Sequence, residues 1–308
     1  MNTIFKEEWG IGLYDLAAIS HFISYYLYDQ GKSVAILNEQ DLFKRIMEKT
    51  DFTDDELNSY VHHLTFLPRS NILRPPEGFA QSEIYPWRYN RRLSYLMKPI
   101  IRIKKGDKYL LVISARHLWM ASENLIGAFG KGVLKVDPAY KRIGQLIANQ
   151  NGIKGKEYRQ EVYEWLTHHT ATRVIPHEVR MSPRGYFKAS TDLGDIDILA
   201  IDDDKRIIYS IECKNTHQSK VAYEYRMELD NYLGVPSKQG LISKHINRDN
   251  WLQENKDTIL YKLGLLKEYR IYSLVISKHV LPTRFLMSTG ITILSFYELR
   301  KKGLPEAL

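Results

Sequence analysis

Residues 194–201 are Gly-Asp-Ile-Asp-Ile-Leu-Ala-Ile, and after the turn at 202–205 residues 206–214 are Arg-Ile-Ile-Tyr-Ser-Ile-Glu-Cys-Lys. Two runs rich in isoleucine flank a short cluster of turn-forming residues, a pattern typical of two antiparallel strands joined by a tight loop. Because side chains alternate between the two faces of a strand, Asp195 and Asp197 share one face of the first strand. Glu212 and Lys214 share a face of the second. The stretch therefore predicts a β-hairpin with one charged face.

The pairing of these two strands decides which acids meet. We expect Ile201 to pair with Arg206 across the loop. In this register Asp195 lies opposite Glu212, and Asp197 lies diagonal to it. Diagonal neighbours in such a ladder have Cβ atoms about 7–8 Å apart, so either aspartate could share one hard cation with Glu212. Crowded acids on a strand repel each other and are costly to desolvate, so we expect them to serve a function or to face solvent.

The sequence Gly-Asp-Ile-Asp-Ile-Leu-Ala followed by Ile-Glu-Cys-Lys, with fourteen residues between Asp197 and Glu212, resembles the signature of the PD-(D/E)xK nuclease superfamily. The similarity is to the restriction-endonuclease-like branch, which includes Mrr-type enzymes and Holliday junction resolvases, and it covers about residues 155–308. It implies a metal-dependent endonuclease that hydrolyses phosphodiester bonds in restriction, phage defence or repair. DNA is the expected substrate and RNA is the alternative. An ordinary charged hairpin on a solvated face is the other explanation of the same residues.

The resemblance implies roles for the residues of the hairpin. Asp197 and Glu212 would hold Mg²⁺ or Mn²⁺ together with the backbone carbonyl of Cys213, since hard divalent cations prefer oxygen ligands. Lys214 would orient the attacking water and stabilise negative charge as it develops. The aspartate of the family follows an apolar strand residue, which favours Asp197 over its rival Asp195.

In the same family the first core helix often carries a glutamate that helps to hold metal or water. Residues 156–169 predict an amphipathic helix on which Glu157 and Glu161 are the candidates. Mrr-type proteins commonly show Gly-x-x-Phe-Glu at this point, whereas this chain has Arg159 where that glutamate would fall. We therefore predict Glu161 as the catalytic glutamate of the helix, one that helps to hold metal or water, with Glu157 and a simple solvated helix charge as the alternatives.

The length of 308 residues favours two domains, since chains of this size usually divide. Asn151, Gly152 and Gly155 are typical of a linker. The fold class is α/β: residues 151–308 should form a restriction-endonuclease-like mixed sheet flanked by helices. Residues 1–150 should form a mainly helical domain, with a winged helix as the candidate, that binds the substrate or a partner.

Local signals in the first 150 residues support this division. Apolar spacing predicts a helix over residues 13–28, and capping patterns at 38–41 and 53–56 predict two further helices with the proportions of a helix-turn-helix. Residues 98–113 predict a hairpin that would serve as the wing. A winged helix binds DNA or another protein, so either function fits this domain.

Basic residues near aromatic rings are candidates for nucleic-acid contacts. Residues 87–92 set Arg88, Arg91 and Arg92 beside two aromatic rings, an arrangement that can stack bases and hold phosphates. A packed loop with solvated charges explains the same segment. Lys220, in a helix predicted over residues 218–233, is the further candidate.

Composition agrees with a polyanionic partner. The net charge is +8 and the isoelectric point is near 9.2. The one cysteine, Cys213, excludes an internal disulfide and a thiolate zinc cluster, and we interpret it as core packing. No apolar run of membrane-spanning length and no leader pattern occurs, so we expect a cytoplasmic protein without membrane contact.

Two further function classes stay open on the sequence. One is a catalytically inert nuclease-like fold that acts as a DNA-binding or protein-interaction module. The other is docking of an ATPase or another defence-system subunit by the N-terminal half. The sequence does not fix the oligomeric state, and an oligomer is compatible with it.

Overall fold

The structure of the protein is a computed structural model. It describes residues 1–67, 69, 71–88, 91–219, 221–266, 268–288 and 290–305. Helices and mixed sheets make it an α/β protein, and the chain divides into two compact units, Met1–Asn151 and Gly152–Leu308. Among the described residues, no helix is both long and apolar enough to cross a membrane.

The first unit combines helices with one small sheet. Its elements are α1 (Asn2–Trp9), α2 (Leu13–Asp29), β1 (Val34–Asn38), α3 (Glu39–Met47), α4 (Asp54–Leu64), β2 (Ile101–Lys105), β3 (Lys108–Ser114) and α5 (Ala115–Lys131). The strands form an antiparallel sheet in the order β1-β3-β2. From α2 to β3 the order is helix, strand, helix, helix, strand, strand, which is the order of a winged helix with β2 and β3 as its wing.

Side-chain caps fix where α3 and α4 begin. The Asn38 side chain accepts hydrogen bonds from the N–H groups of Gln40 and Asp41, as the sequence predicts. Thr53 and Glu56 form a capping box at the start of α4. Buried apolar residues from the helices and the sheet join in one core cluster of this unit.

A single helix, α6 (Lys141–His169), occupies the segment predicted as a linker. The prediction of a break at Asn151, Gly152 and Gly155 is wrong. An isolated glycine lowers helix stability by only about 1 kcal/mol relative to alanine, which neighbouring packing can offset. Tyr158 is buried in the second unit's core and anchors the later turns of the helix.

The second unit contains the remaining elements. They are β4 (Arg173–Val174), β5 (Val179–Ser182), β6 (Phe187–Lys188), β7 (Gly194–Ile196), β8 (Ile198–Asp202), β9 (Ile207–Lys214), α7 (Ala222–Leu233), β10 (Gly234–Val235), β11 (Lys238–Gln239), α8 (Leu241–Glu254), α9 (Lys256–Leu263), β12 (Arg270–Ser277), β13 (Thr292–Ser295) and α10 (Phe296–Lys302).

A five-stranded mixed sheet in the order β13-β12-β9-β8-β4 forms the centre of this unit. β12 runs parallel to both β9 and β13, whereas β8 is antiparallel to β9 and β4. Alternate residues of β9 supply the two faces of the sheet: Tyr209 and Ile211 join one apolar cluster, and Ile208 joins another. β9 is therefore buried on both faces over most of its length, and its end carries the predicted site residues.

A second sheet has the strand order β6-β5-β7. Its strand β7 comes directly before β8 in the chain. The stretch 194–201, predicted as one strand, is split between the two sheets, because β7 ends at Ile196 and β8 begins at Ile198. The residue at the break is Asp197.

The central sheet makes a direct stability prediction. Leu274 of β12 is 0% exposed, whereas Leu266 in the loop before this strand is 71% exposed. Leu274→Ala should lower the free energy of unfolding by about 2–5 kcal/mol, because it removes buried apolar atoms and leaves a cavity. Leu266→Ala is the matched control and should change it by less than about 0.5 kcal/mol. Equal effects of the two variants in urea unfolding would contradict this placement of β12.

Candidate active site

The strand break places the two predicted metal-binding acids next to each other. β8 and β9 pair so that Ile198 lies opposite Ile211. The next position outward brings Asp197 beside Glu212. The Asp197 carboxylate accepts a hydrogen bond from the Cys213 N–H, with 2.7 Å between Oδ2 and N. Asp197 thus bonds to the backbone of the strand that carries the second acid.

The register predicted from the sequence is wrong, since Ile201 pairs with Ile208 and not with Arg206. The turn explains the difference. The Asp202 side chain accepts a hydrogen bond from the Lys205 N–H at 2.9 Å, and Arg206 takes the left-handed conformation with φ 55°. The hairpin loop therefore begins after Asp202. Relative to the predicted register, each residue of β8 pairs with a residue further along β9, and Asp197 comes to lie opposite Glu212.

Asp195 belongs to β7 and therefore to the second sheet. It lies opposite Arg180 of β5, and Arg180 Nη1 donates to its two carboxylate oxygens at 3.1 and 3.2 Å. What Asp195 contributes near Glu212 is its backbone carbonyl, which accepts a hydrogen bond from Arg248. Of the two rival aspartates, the structure brings Asp197 to Glu212.

Glu212 is buried between two cations. Lys214 Nζ lies 2.5 Å from its Oε1, and Arg248 Nη2 donates to its Oε2. Burial alone would raise the pKa of Glu212, but the charges of Lys214 and Arg248 hold this pKa below its usual value. Glu212 is therefore an ionised carboxylate at neutral pH.

Asp197 is in a different electrostatic state. Burial, reinforced by the negative charge of Glu212, raises the pKa of Asp197 to about 6. The hydrogen bond from Cys213 and the charges of Lys214 and Arg248 offset only part of this effect. A divalent cation beside Asp197 would favour the ionised carboxylate, because opposite charge lowers the pKa of an acid.

The donor set fits part of the coordination sphere of a hard cation. Asp197 and Glu212 offer carboxylate oxygens, and the backbone of Cys213 lies directly beside Asp197. Mg²⁺ is usually held by one or two carboxylates, with water and substrate phosphate as its other ligands. No group of three or more His, Cys, Asp or Glu side chains within the described part of the chain forms a metal cage. A bound ion would thus need water and a phosphate to complete its shell.

Glu161, the predicted catalytic glutamate of the first core helix, pairs with Lys278. Its carboxylate is 3.9 Å from Lys278 Nζ, and its side chain is 48% exposed. Arg159 is the residue of α6 that reaches the strand break, where Nη1 donates to the Asp197 backbone carbonyl at 3.3 Å. Glu161 and its alternative Glu157 line a surface cavity of about 750 Å³.

The three arginines predicted to contact nucleic acid bond within their own unit. Arg88 is 4% exposed and lies 3.2 Å from Glu83. Arg91 donates to nearby backbone carbonyls, and Arg92 pairs with Asp137 at 3.0 Å. These contacts agree with the packed-loop explanation of the segment, and Arg88 presents no exposed cation there.

The predicted Lys220 lies outside the described residues. Two residues of α8 that sequence reasoning missed, His245 and Arg248, lie at the site. Both are buried, three residues apart, between the buried Ile242 and Leu252 of the same helix. Burial, followed by the charge of Arg248, lowers the pKa of His245 to about 4, so the imidazole is neutral. Polar residues on the apolar stripe of a helix were the signal in the sequence.

Known proteins resemble this chain at the level of a family model that spans nearly its whole length. Residues 2–295 match the family model described as "Upx-like: Anti-phage protein Upx-like". No curated protein and no solved structure matches. The match covers nearly all of both units, and its description assigns a phage-defence role without naming a chemical activity.

The raised pKa of Asp197 gives a stability prediction. Because the native state binds this proton more tightly than the unfolded state, Asp197 increasingly opposes folding as pH rises from about 4 to about 6. Asp197→Asn removes this penalty and can still accept the Cys213 N–H. The variant should be more stable than the wild type by about 1–3 kcal/mol at pH 7, and by much less at pH 4.

Urea unfolding at both pH values measures this difference. Asp195→Asn is the matched control, since it removes a partly exposed charge and should lower stability by about 1 kcal/mol or less. An Asp197→Asn variant that is less stable than the wild type at pH 7 would contradict the electrostatic description of the site.

Proposed function

The chain belongs to the Upx-like family of anti-phage proteins, and we propose that it defends against phage as a metal-dependent nuclease acting on phage DNA. One observation carries the proposal: Asp197 and Glu212 meet at the end of a central strand, with Lys214 bound to Glu212. These are the acids and the lysine that the PD-(D/E)xK resemblance predicts.

Phosphodiester hydrolysis needs an attacking water, charge neutralisation at the phosphate and help for the leaving oxygen, which bound Mg²⁺ or Mn²⁺ would supply. Asp197 and Glu212 would hold the ion, and the Cys213 carbonyl would be the third protein ligand. Lys214, already within hydrogen-bond distance of Glu212, would place its ammonium beside the water and the developing negative charge.

The charges of the protein support a nucleic acid as the substrate. The net charge of +8 attracts a polyanion, and Lys214 and Arg248 add positive charge at the site itself. Phage DNA is the target that combines this electrostatic preference with the role of the family. RNA is the alternative substrate, and the cleavage assay below separates the two.

A second function has an observation in its favour. Glu212 is bonded to two cations within the chain, so its charge is balanced without a bound ligand. An inert nuclease-like module that binds DNA or protein would have the same internally satisfied acids. Cleavage that depends on a metal distinguishes the two functions.

Binding of the substrate or of a partner is the role that we propose for the first unit. Its wing carries Lys104, Lys105 and Lys108, all of them exposed. By contrast, the first turn of α4 is acidic, with Asp54, Asp55 and Glu56. Phosphates would be repelled from this end of α4 and attracted to the wing. An ATPase or another defence-system subunit is the alternative partner.

We predict that cleavage depends on the three residues of the site. Asp197→Asn, Glu212→Gln and Lys214→Ala should each lower the rate by two or more orders of magnitude, because the metal and its water provide most of the rate enhancement. The assay uses supercoiled, linear and single-stranded DNA and a single-stranded RNA, with Mg²⁺, Mn²⁺ or EDTA. EDTA should abolish cutting.

Asp195→Asn is the control for this series, since its side chain belongs to the Arg180 pair. It should cut at close to the wild-type rate. Loss of cutting in this variant together with full activity of Asp197→Asn would place the metal on the other aspartate. A folded wild type that cuts none of the substrates with either metal would support the inert module.

We also predict that the wing contacts phosphates. The combined replacement of Lys104, Lys105 and Lys108 by alanine should weaken duplex binding. It should also make the negative slope of log affinity against log salt shallower by about 2–3. Fluorescence anisotropy from 50 to 300 mM salt measures this slope on the full chain.

The matched control replaces three exposed lysines elsewhere in the same unit, Lys131, Lys135 and Lys141, by alanine. Their removal changes the net charge equally, so only a local contact separates the two triple variants. The same salt slope for both would show that the wing does not bind DNA and would favour docking of a protein partner.

A further inference from the structure

Arg248 binds a carboxylate oxygen that would be a ligand of the proposed cation. Its guanidinium donates to Glu212 Oε2 and to the Asp195 backbone carbonyl, and the side chain is buried. Glu212 Oε1 is bonded to Lys214. Both oxygens of the predicted metal ligand are therefore already engaged by positive charge.

Two buried donors next to this contact have no acceptor among the described residues. One is Arg248 Nε, and the other is His245 Nε2. His245 Nδ1 lies 3.4 Å from Arg248 Nη2. An arginine only donates, so Nδ1 of the neutral imidazole accepts and its proton is on Nε2. Leaving buried donors unpaired is costly, and an anionic ligand oxygen would satisfy them.

The charges of the cluster favour the binding of a cation and an anion together. Asp197 and Glu212, when ionised, balance Lys214 and Arg248. A divalent cation alone adds two positive charges beside an arginine and a lysine, which repel it. A phosphate alone adds negative charge beside two carboxylates. Cation and phosphate bound together leave a net charge nearer to zero than the cation does alone.

We propose that Arg248 competes with the metal for Glu212, so that a divalent cation and a nucleic-acid phosphate bind to this site jointly. The inference rests on the proposed nuclease function and assigns Arg248 a positioning role in it. With a phosphate present, the guanidinium has an alternative acceptor and its hold on Glu212 weakens. In the absence of nucleic acid the site then holds its metal poorly.

Metal affinity without nucleic acid tests the sign of this effect. Calorimetric titration of the full chain with Ca²⁺ at pH 8, where Asp197 is ionised, compares the wild type with Arg248→Gln. The variant should bind Ca²⁺ about tenfold or more tightly, because it loses a positive charge next to a ligand. Arg248→Lys keeps the charge and should stay close to the wild type.

Arg284→Gln is the matched control, since Arg284 is a half-buried arginine that, like Arg248, pairs with a glutamate of the same unit, Glu298. It should leave Ca²⁺ affinity unchanged, and Asp197→Asn should abolish binding. A folded Arg248→Gln that binds Ca²⁺ equally or more weakly than the wild type would overturn the inference, because Arg248 would then only hold Glu212 in place.

A second measurement needs no variant at Arg248. Duplex affinity of the wild type, followed by anisotropy in Ca²⁺ or in EDTA, should be about tenfold or more tighter in Ca²⁺, since coupling between two ligands is reciprocal. Equal affinities would overturn the inference whether or not Arg248→Gln folds.

The outcomes separate this inference from the proposed function. Coupled binding of Ca²⁺ and duplex without any cleavage in Mg²⁺ or Mn²⁺ supports the role of Arg248 and removes the nuclease. Cleavage in Mg²⁺ without coupling keeps the nuclease and removes the role of Arg248. A wild type that binds duplex equally in Ca²⁺ and in EDTA and cuts no substrate removes both.

Discussion

Asp197 and Glu212 carry like charges side by side at the end of a strand that is buried over most of its length, and the arrangement of the site follows from offsetting them. Glu212 is neutralised by Lys214 and Arg248. Asp197 has the hydrogen bond from Cys213. That bond requires the chain to leave the sheet at Asp197, because within a regular ladder a side chain points away from the neighbouring backbone. At the break between β7 and β8, Asp197 thus accepts a hydrogen bond that offsets part of the cost of its charge.

The same constraint distinguishes a partly exposed ion pair of this unit from a buried one. Asp195 and Arg180 form a partly exposed pair in the second sheet, where water screens their interaction. Glu212 and Arg248 form a buried pair, which loses far more solvation and is kept only with good partners. An acid with a raised pKa beside such a pair is uncommon in a domain selected for stability alone. The family's role in defence against phage gives this arrangement a biological context.

Local signals predicted local structure well. The caps at Asn38 and Thr53 were identified in the sequence because their chemistry involves residues two or three positions apart. The register of the charged hairpin was not, because it depends on the conformation of Arg206, which no residue pattern announces. Arg248 was missed for a related reason. Its importance comes from contact with Glu212, 36 residues away in the chain, and only the folded sheet shows that contact.

Cys213 lies between the two charged residues of β9, but its side chain packs against the apolar cluster on the opposite face of the sheet. Burial raises the pKa of its thiol well above the usual range, so the reactive thiolate is scarce while the strand is paired. The chain has no second cysteine. The rate of alkylation by a thiol reagent should therefore rise when the strand opens, and the label is already present in the sequence. Local unfolding of the strand that carries Glu212 and Lys214 can be timed in this way separately from unfolding of the whole chain.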